Sequence, residues 1–232
     1  MSAERSLDNI GLLAPLAAEE RTALATGCRW LDLKTGDQVL NRDSESRDVY
    51  FVVDGAVQVV NYSLSGREIA YAVVRAGHYF GEIAAIDGKP RSASVVAIEK
   101  CRLAIMDRDV FNRLLQEHGD LMGAVLLKLT QIIRNCDERI MDLSTLGAVQ
   151  RVYVELLRLA KPDPVTPGSW LIHPVPTQEL IASHASTTRE TVARVMGQLV
   201  KSGLAKRKGR NFYLLDRERL EEMAERLVAS VE

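Results

Sequence analysis

The chain has 232 residues, 47% of them apolar and 26% charged, which suits one large or two modest buried cores and is too apolar for a disordered chain. The net charge of −1 is spread unevenly: residues 1–150 carry 17 basic and 21 acidic side chains, residues 151–232 carry 13 and 10, and residues 177–215 carry seven and two, net +5. A basic segment in a mildly acidic protein points to a polyanion as that segment's partner.

The opening stretch, MSAERSLDNIGLLAPLAAEERTAL, interrupts its apolar run with a proline and acids. It is read as neither a secretion signal nor a membrane span, so the expectation is a cytoplasmic protein with no membrane partner. A helical pattern around Pro15 to Ala25 comes first. From Trp30 to Met106 short β-branched runs alternate with turn residues, punctuated by Gly36, Gly55, Gly66 and Gly77. "VYFVV-DG-AVQVV" is the clearest run and predicts a hairpin about its Asp-Gly pair. Turn signals at this density predict a small antiparallel barrel or roll.

Within that region lies "FGEIAAIDGKPRSAS", residues 80–94. A short helix starting near Gly81 aims free backbone N–H groups at an anion, with Ile83 and Ala84 in its first turn. Arg91 adds charge-assisted bonds to phosphate oxygens, while Glu82 accepts from a ribose 2'-hydroxyl. Gly81, Ala84, Ala85 and Ala93 leave room for close approach, and Ser92 can bond the phosphate. An acid for ribose and an arginine for phosphate suit a 3',5'-cyclic nucleotide, which has one phosphodiester charge and one free sugar hydroxyl. By themselves, Glu82 and Arg91 are better explained by a salt bridge to each other, and it is the order Phe-Gly-Glu-Ile-Ala, a short loop, then Pro-Arg-Ser-Ala that favours the nucleotide.

From about Asp109 the period becomes helical. Leu126, Leu129, Ile133, Cys136, Ile140, Leu143 and Gly147 follow at steps of three and four, a seam that predicts a parallel homodimer through a helix of about 110–145. "DLSTLG" reads as the hinge after it, so the domains are placed at 1–147 and 148–232. The cysteines Cys28, Cys101 and Cys136 form no CxxC pair and are read as buried free thiols, with no metal or disulfide framework.

Beyond the hinge, "AVQRVYVELLRLA" predicts an amphipathic helix stopped by the proline-rich loop "KPDPVTPGSW". In "TQELIASHASTTRETVARVMGQLV" one helix starts at Gln178, a break falls around His184 to Ser186, and a second helix starts near Thr188. Ala182 is small where the helices cross, Val192 and Leu199 supply an apolar face, and Thr187 with Glu190 has capping-box spacing. Such a pair presents Thr188, Arg189, Glu190 and Arg194 to a DNA major groove. Arginine bonds guanine O6 and N7, and glutamate accepts from cytosine N4. Thr177 joins the DNA-contact set, and "LAKRKGRNFYLL" predicts a two-stranded wing whose Lys206, Lys208 and Arg210 touch phosphate.

The run "STTRETVARVMGQLVKSGLAKRKGRNFYLL" resembles the winged helix of the bacterial cyclic-AMP receptor and FNR family of transcription regulators, whose recognition helix shows Arg-Glu-Thr-Val-x-Arg; residues 189–194 match it in full. Ser186 stands where that family has glycine. Residues 80–94 resemble the phosphate-binding cassette of cyclic-nucleotide domains, and the resemblance spans roughly residues 10–220. It implies an α+β protein: an N-terminal antiparallel β-roll, a long dimerisation helix and a C-terminal winged helix-turn-helix. It further implies a non-enzymatic, DNA-binding homodimer that reads palindromic TGTGA-type sites through Arg189, Glu190 and Arg194. RNA polymerase is a further implied partner, with the loop Lys161 to Gly168 as the expected contact. Alignment through the hinge puts Cys136 and Asp137 where the family presents a Thr-Ser pair to the base. A carboxylate there can accept from adenine N6 or, twice, from guanine N1–H and N2–H, and Ser92 can also meet a guanine amine. Cyclic AMP is the favoured ligand and cyclic GMP the competitor.

Three rivals are weighed. A redox or oxygen sensor lacks its N-terminal cysteine cluster. A metal-dependent β-roll enzyme needs several histidines in the roll, and only His78 lies there, with His118, His173 and His184 elsewhere. A ligand-independent regulator with a vestigial pocket stays open.

Overall fold

The computed structural model describes residues 5–63, 68–166 and 168–226, so the Gly66 turn lies outside the described residues. The chain forms two compact units, Met1–Ile132 and Ile133–Glu232, which meet inside one long helix.

In the first unit a 3-10 turn (Gly11–Leu13) precedes α1 (Ala18–Gly27), a later start than the helical pattern around Pro15 suggests. There follow β1 (Arg29–Leu33), β2 (Gln38–Leu40), β3 (Val49–Asp54), β4 (Ala56–Tyr62), β5 (Glu68–Arg75) and β6 (Tyr79–Phe80). Then come α2 (Glu82–Asp87), β7 (Ser94–Ala97), β8 (Cys101–Met106), α3 (Arg108–Glu117) and α4 (Gly119–Thr145), the last running into the second unit. The strands form two antiparallel four-stranded sheets, ordered β1-β8-β3-β6 and β2-β7-β4-β5. Strand alternation supplies both cores: in β3, Phe51 packs with Phe111 and Leu121, while Val52 packs with Leu103 and Phe80.

The Asp54–Gly55 pair does not close the hairpin expected of it. β3 pairs with β6 and β8, β4 with β5 and β7, so Gly55 carries the chain from one sheet to the other. The corner is tight enough to demand glycine: φ is +78°, and a Cβ there would lie 2.3 Å from the Lys100 carbonyl oxygen. The same motif serves a hairpin or a sheet crossing, and the alternation of the flanking strands is identical in both cases.

In the second unit α4 ends at Thr145, and α5 (Ala148–Leu159) begins after its N-cap, Gly147. Gly147 therefore starts the next helix and is not part of the α4 seam. β9 (Lys161–Pro162) occupies the start of the stretch read as a loop, and pairs with β10 (Trp170–Ile172). α6 (Gln178–His184), α7 (Arg189–Lys201), β11 (Ala205–Lys208), β12 (Asn211–Leu214) and α8 (Arg217–Arg226) complete it. The two-stranded wing widens into one antiparallel sheet ordered β11-β12-β10-β9. Val152, Leu156, Ile181, Val192 and Phe212 form its core. The fold is the α+β arrangement of roll, long helix and winged helix-turn-helix.

Candidate functional site

The chemistry divides between the two units. In the first, β6 runs into α2 through Gly81, whose φ is +90°. A Cβ on Gly81 would lie 2.8 Å from Arg91 Nη1 and 2.9 Å from the Asp48 carbonyl oxygen, so only glycine lets Arg91 sit against this turn.

Arg91 is buried, 3% exposed. Its Nε donates to Ser46 Oγ (3.1 Å), Nη1 to the Gly81 carbonyl (2.9 Å) and Nη2 to the Asp48 carbonyl (2.7 Å). A guanidinium has five N–H groups, so these three bonds leave two, for the Tyr50 hydroxyl, which is a further hydrogen-bond partner, and for the oxygens of a phosphate. The guanidinium lies 5.5 Å from the Tyr50 ring centroid, and Tyr50 stacks on Phe80 at 5.0 Å. Burial lowers the Arg91 pKa, opposed by Tyr50, Asp48 and Glu82.

Glu82 is 4% exposed and is not paired to Arg91. Its Oε1 lies 3.0 Å from Lys128 Nζ on α4, which also donates to the Tyr79 carbonyl at 2.6 Å and sits 3.6 Å from the Tyr79 ring centroid. Burial lowers the Lys128 pKa, and the Glu82 charge and hydrogen bond resist it. The simple salt bridge between Glu82 and Arg91 is thus replaced by two arrangements, each retaining capacity for a ligand: N–H groups of the arginine beyond its bonds to Ser46, Gly81 and Asp48, and lone pairs of the carboxylate beyond its bond to Lys128. Ile83 and Ser92 are exposed, whereas Ala84 and Ala93 are buried.

Lys128 and Ser46 escaped the sequence reading because nothing local marks them. Lys128 lies 49 residues from Tyr79, and Ser46 45 residues from Arg91. Cys136 and Asp137 are exposed on the part of α4 that belongs to the second unit. Cys136 is therefore not the buried thiol expected. Cys28 and Cys101 are buried, and burial is the largest cause pushing both thiols up to about 11.

In the second unit α6 and α7 are joined by a turn whose Ser186 has φ +48°, the left-handed backbone anticipated where the related pattern carries glycine. Arg151 braces it, donating to the Ala185 and Ser186 carbonyls at 2.9 and 3.0 Å and to the Leu146 carbonyl at 2.7 Å. The α7 cap is Thr188, whose hydroxyl accepts from the Thr191 amide at 3.3 Å. The capping box assigned to Thr187 is thus one residue off: Thr187 is buried, and its amide donates to the Ala182 carbonyl. Thr177 caps α6, accepting from the Leu180 amide at 3.2 Å.

Val192, Val195, Met196 and Leu199 bury one face of α7 and leave Arg189, Glu190 and Arg194 exposed at its start. Arg189 Nε pairs with Glu179 Oε1 at 2.8 Å, with both side chains more than 60% exposed. Glu190 has its pKa lowered, first by its own backbone amide and then by the Thr188 hydroxyl. Lys206, Arg207 and Lys208 on β11 and Arg210 at the turn are exposed. Arg207, absent from the sequence-read set, belongs to the same basic edge. This surface carries six cations and two carboxylates, Glu179 and Glu190.

Among the described residues no group of three or more His, Cys, Asp or Glu is placed to hold a metal ion. Among them, too, no helix is long and apolar enough to cross a membrane.

Comparison with known proteins assigns both halves. The family model of the cyclic nucleotide-binding domain matches residues 30–118, and that of the Crp-like helix-turn-helix domain matches residues 150–223. The chain is 26% identical over 216 residues to the CRP-like cAMP-activated global transcriptional regulator of Mycobacterium tuberculosis, covering 92% of this chain and 96% of that protein. It is 26% identical over 174 residues to the cAMP-activated global transcriptional regulator CRP of Escherichia coli, covering 74% and 82%. A CooA mutant from Carboxydothermus hydrogenoformans superposes with a TM-score of 0.77 at 21% identity, covering 92% of this chain and 95% of its own, a likeness of fold.

Proposed function

From the premise that this chain belongs to the cyclic-AMP receptor and FNR family of transcription regulators, we propose that it is a cytoplasmic homodimer switched by a 3',5'-cyclic purine nucleotide. Cyclic AMP is the favoured ligand, as the names of the curated relatives suggest, and cyclic GMP the competitor. The observation that carries the reading is the buried Arg91, held by Ser46, Gly81 and Asp48 beside the Tyr50 hydroxyl, with two N–H groups beyond those three bonds. A phosphodiester draws on those N–H groups, and the ribose 2'-hydroxyl donates to Glu82, which Lys128 holds in place. Gly81, Ile83, Ala84, Ser92 and Ala93 line the approach. Cys136 and Asp137, exposed on α4, meet the base across the dimer, and Asp137 gives guanine its foothold in the competition.

The nucleotide-bound dimer binds a palindromic TGTGA-type site. Arg189, Glu190 and Arg194 read base edges; Thr177, Thr188, Lys206, Lys208 and Arg210 hold phosphates, and RNA polymerase is the downstream partner. The chemistry is binding, with no catalytic step and no metal. A ligand-independent regulator is the second reading, favoured by the fact that Glu82 and Arg91 already have protein partners. Calorimetry with cyclic AMP and cyclic GMP, followed by DNA binding with and without each, separates the two. Heat of binding and tighter DNA association support the first; no binding of either nucleotide supports the second.

A further inference from the structure

Asn61, near the end of β4, is 6% exposed and touches the cassette at Ser92, the residue after Arg91. Its amide has a defined orientation. The Ser92 carbonyl only accepts, so the atom turned to it is nitrogen: Nδ2 donates to the Ser92 carbonyl at 3.3 Å and to the Tyr71 hydroxyl at 3.0 Å. Oδ1 is the remaining group, a buried acceptor with no partner among the described residues. Such an atom costs stability, and native proteins keep few of them without a use.

A cyclic purine nucleotide narrows what Oδ1 can meet. Phosphate oxygens only accept and would repel it. The single free sugar hydroxyl is directed to Glu82. The donors left are the N–H groups of the base, chiefly its exocyclic amine. We propose that Asn61 is a ligand-contact residue whose Oδ1 accepts from an amine of the bound base, with Tyr71 and Ser92 positioning the amide. This rests on the cyclic-nucleotide reading above and extends it to base recognition within the first unit.

The test uses nucleotides that differ only by the amine: cyclic GMP against cyclic IMP, and cyclic AMP against the 3',5'-cyclic monophosphate of purine riboside. Calorimetry on the unmutated protein should show a loss of roughly tenfold or more in affinity when the amine is absent from the preferred base. In Asn61→Ala the affinity gap between the two members of that pair should narrow several-fold, leaving only the share that the contact assigned to Asp137 supplies. Equal affinity for both members in the unmutated protein overturns the proposal, and this arm remains decisive should the variant fail to fold. Undiminished amine selectivity in Asn61→Ala overturns it too, because the acceptor then lies elsewhere. Binding of none of the four nucleotides overturns the cyclic-nucleotide reading itself, a result distinct from either of the others.

Discussion

Arg91 does two jobs, and substitutions can separate them. Its three bonds to Ser46, Gly81 and Asp48 fix the cassette, and the proposed phosphate contact uses N–H capacity beyond them, beside the Tyr50 hydroxyl. Arg91→Lys keeps the charge and loses the fork, so nucleotide affinity should fall about tenfold or more in calorimetry; unchanged affinity would remove Arg91 from the site. Lys128→Met leaves the Glu82 carboxylate buried without its cation. Complete burial would put the cost at about 3–5 kcal/mol, and with the Lys128 side chain 30% exposed the expected loss is about 1–3 kcal/mol in urea unfolding. Adding Glu82→Gln should recover much of it, and a double variant as unstable as the single would show that packing, not charge, is what Lys128 supplies. At the DNA surface, Arg189→Ala should cost roughly 1–3 kcal/mol on the preferred site and relax discrimination at one base pair, whereas Lys206→Ala should weaken all sequences alike and lower the salt slope by about one. A uniform loss for Arg189→Ala would make it a phosphate contact.

At the scale of elements, α4 is the feature most clearly written in the chain. Val125 is buried and Leu129 packs on the roll, while Leu126, Ile133, Ile140 and Leu143 are 51–61% exposed along the same helix. Leu129, read as part of the seam, is thus taken up by the roll, and the uncovered apolar residues that remain, at steps of seven, seven and three, suit a second copy of α4. Ile140→Glu places a charge in that seam and should shift sedimentation from dimer to monomer; a dimer of unchanged strength would move the interface elsewhere. The local motifs were legible because their chemistry is contiguous: Gly81, Glu82 and Arg91 within one short stretch, the start of α7, the basic wing. What was not legible depends on distant chain. Lys128, Ser46 and Asn61 reach the cassette from other elements, and Asn61 meets Ser92 across 31 residues. Asp54–Gly55 misled because a corner between two sheets uses the same residues as a hairpin. The α7 cap fell one residue late because Thr187 and Thr188 both offer a hydroxyl and only burial distinguishes them: Thr187 is taken into the turn and Thr188 caps the helix.

For the whole molecule the proposed switch needs the nucleotide to bind the DNA-competent dimer more tightly than the alternative. A preference of about 5.5 kcal/mol carries a population from nearly off to nearly on, and the competent state places two α7 helices about 34–36 Å apart, one turn of duplex. Affinity for a palindromic TGTGA-type duplex, titrated with and without saturating cyclic AMP or cyclic GMP, measures that coupling directly. The account predicts at least a tenfold gain with one nucleotide and none with Arg91→Ala. Equal DNA affinity in the presence and absence of both nucleotides would contradict it.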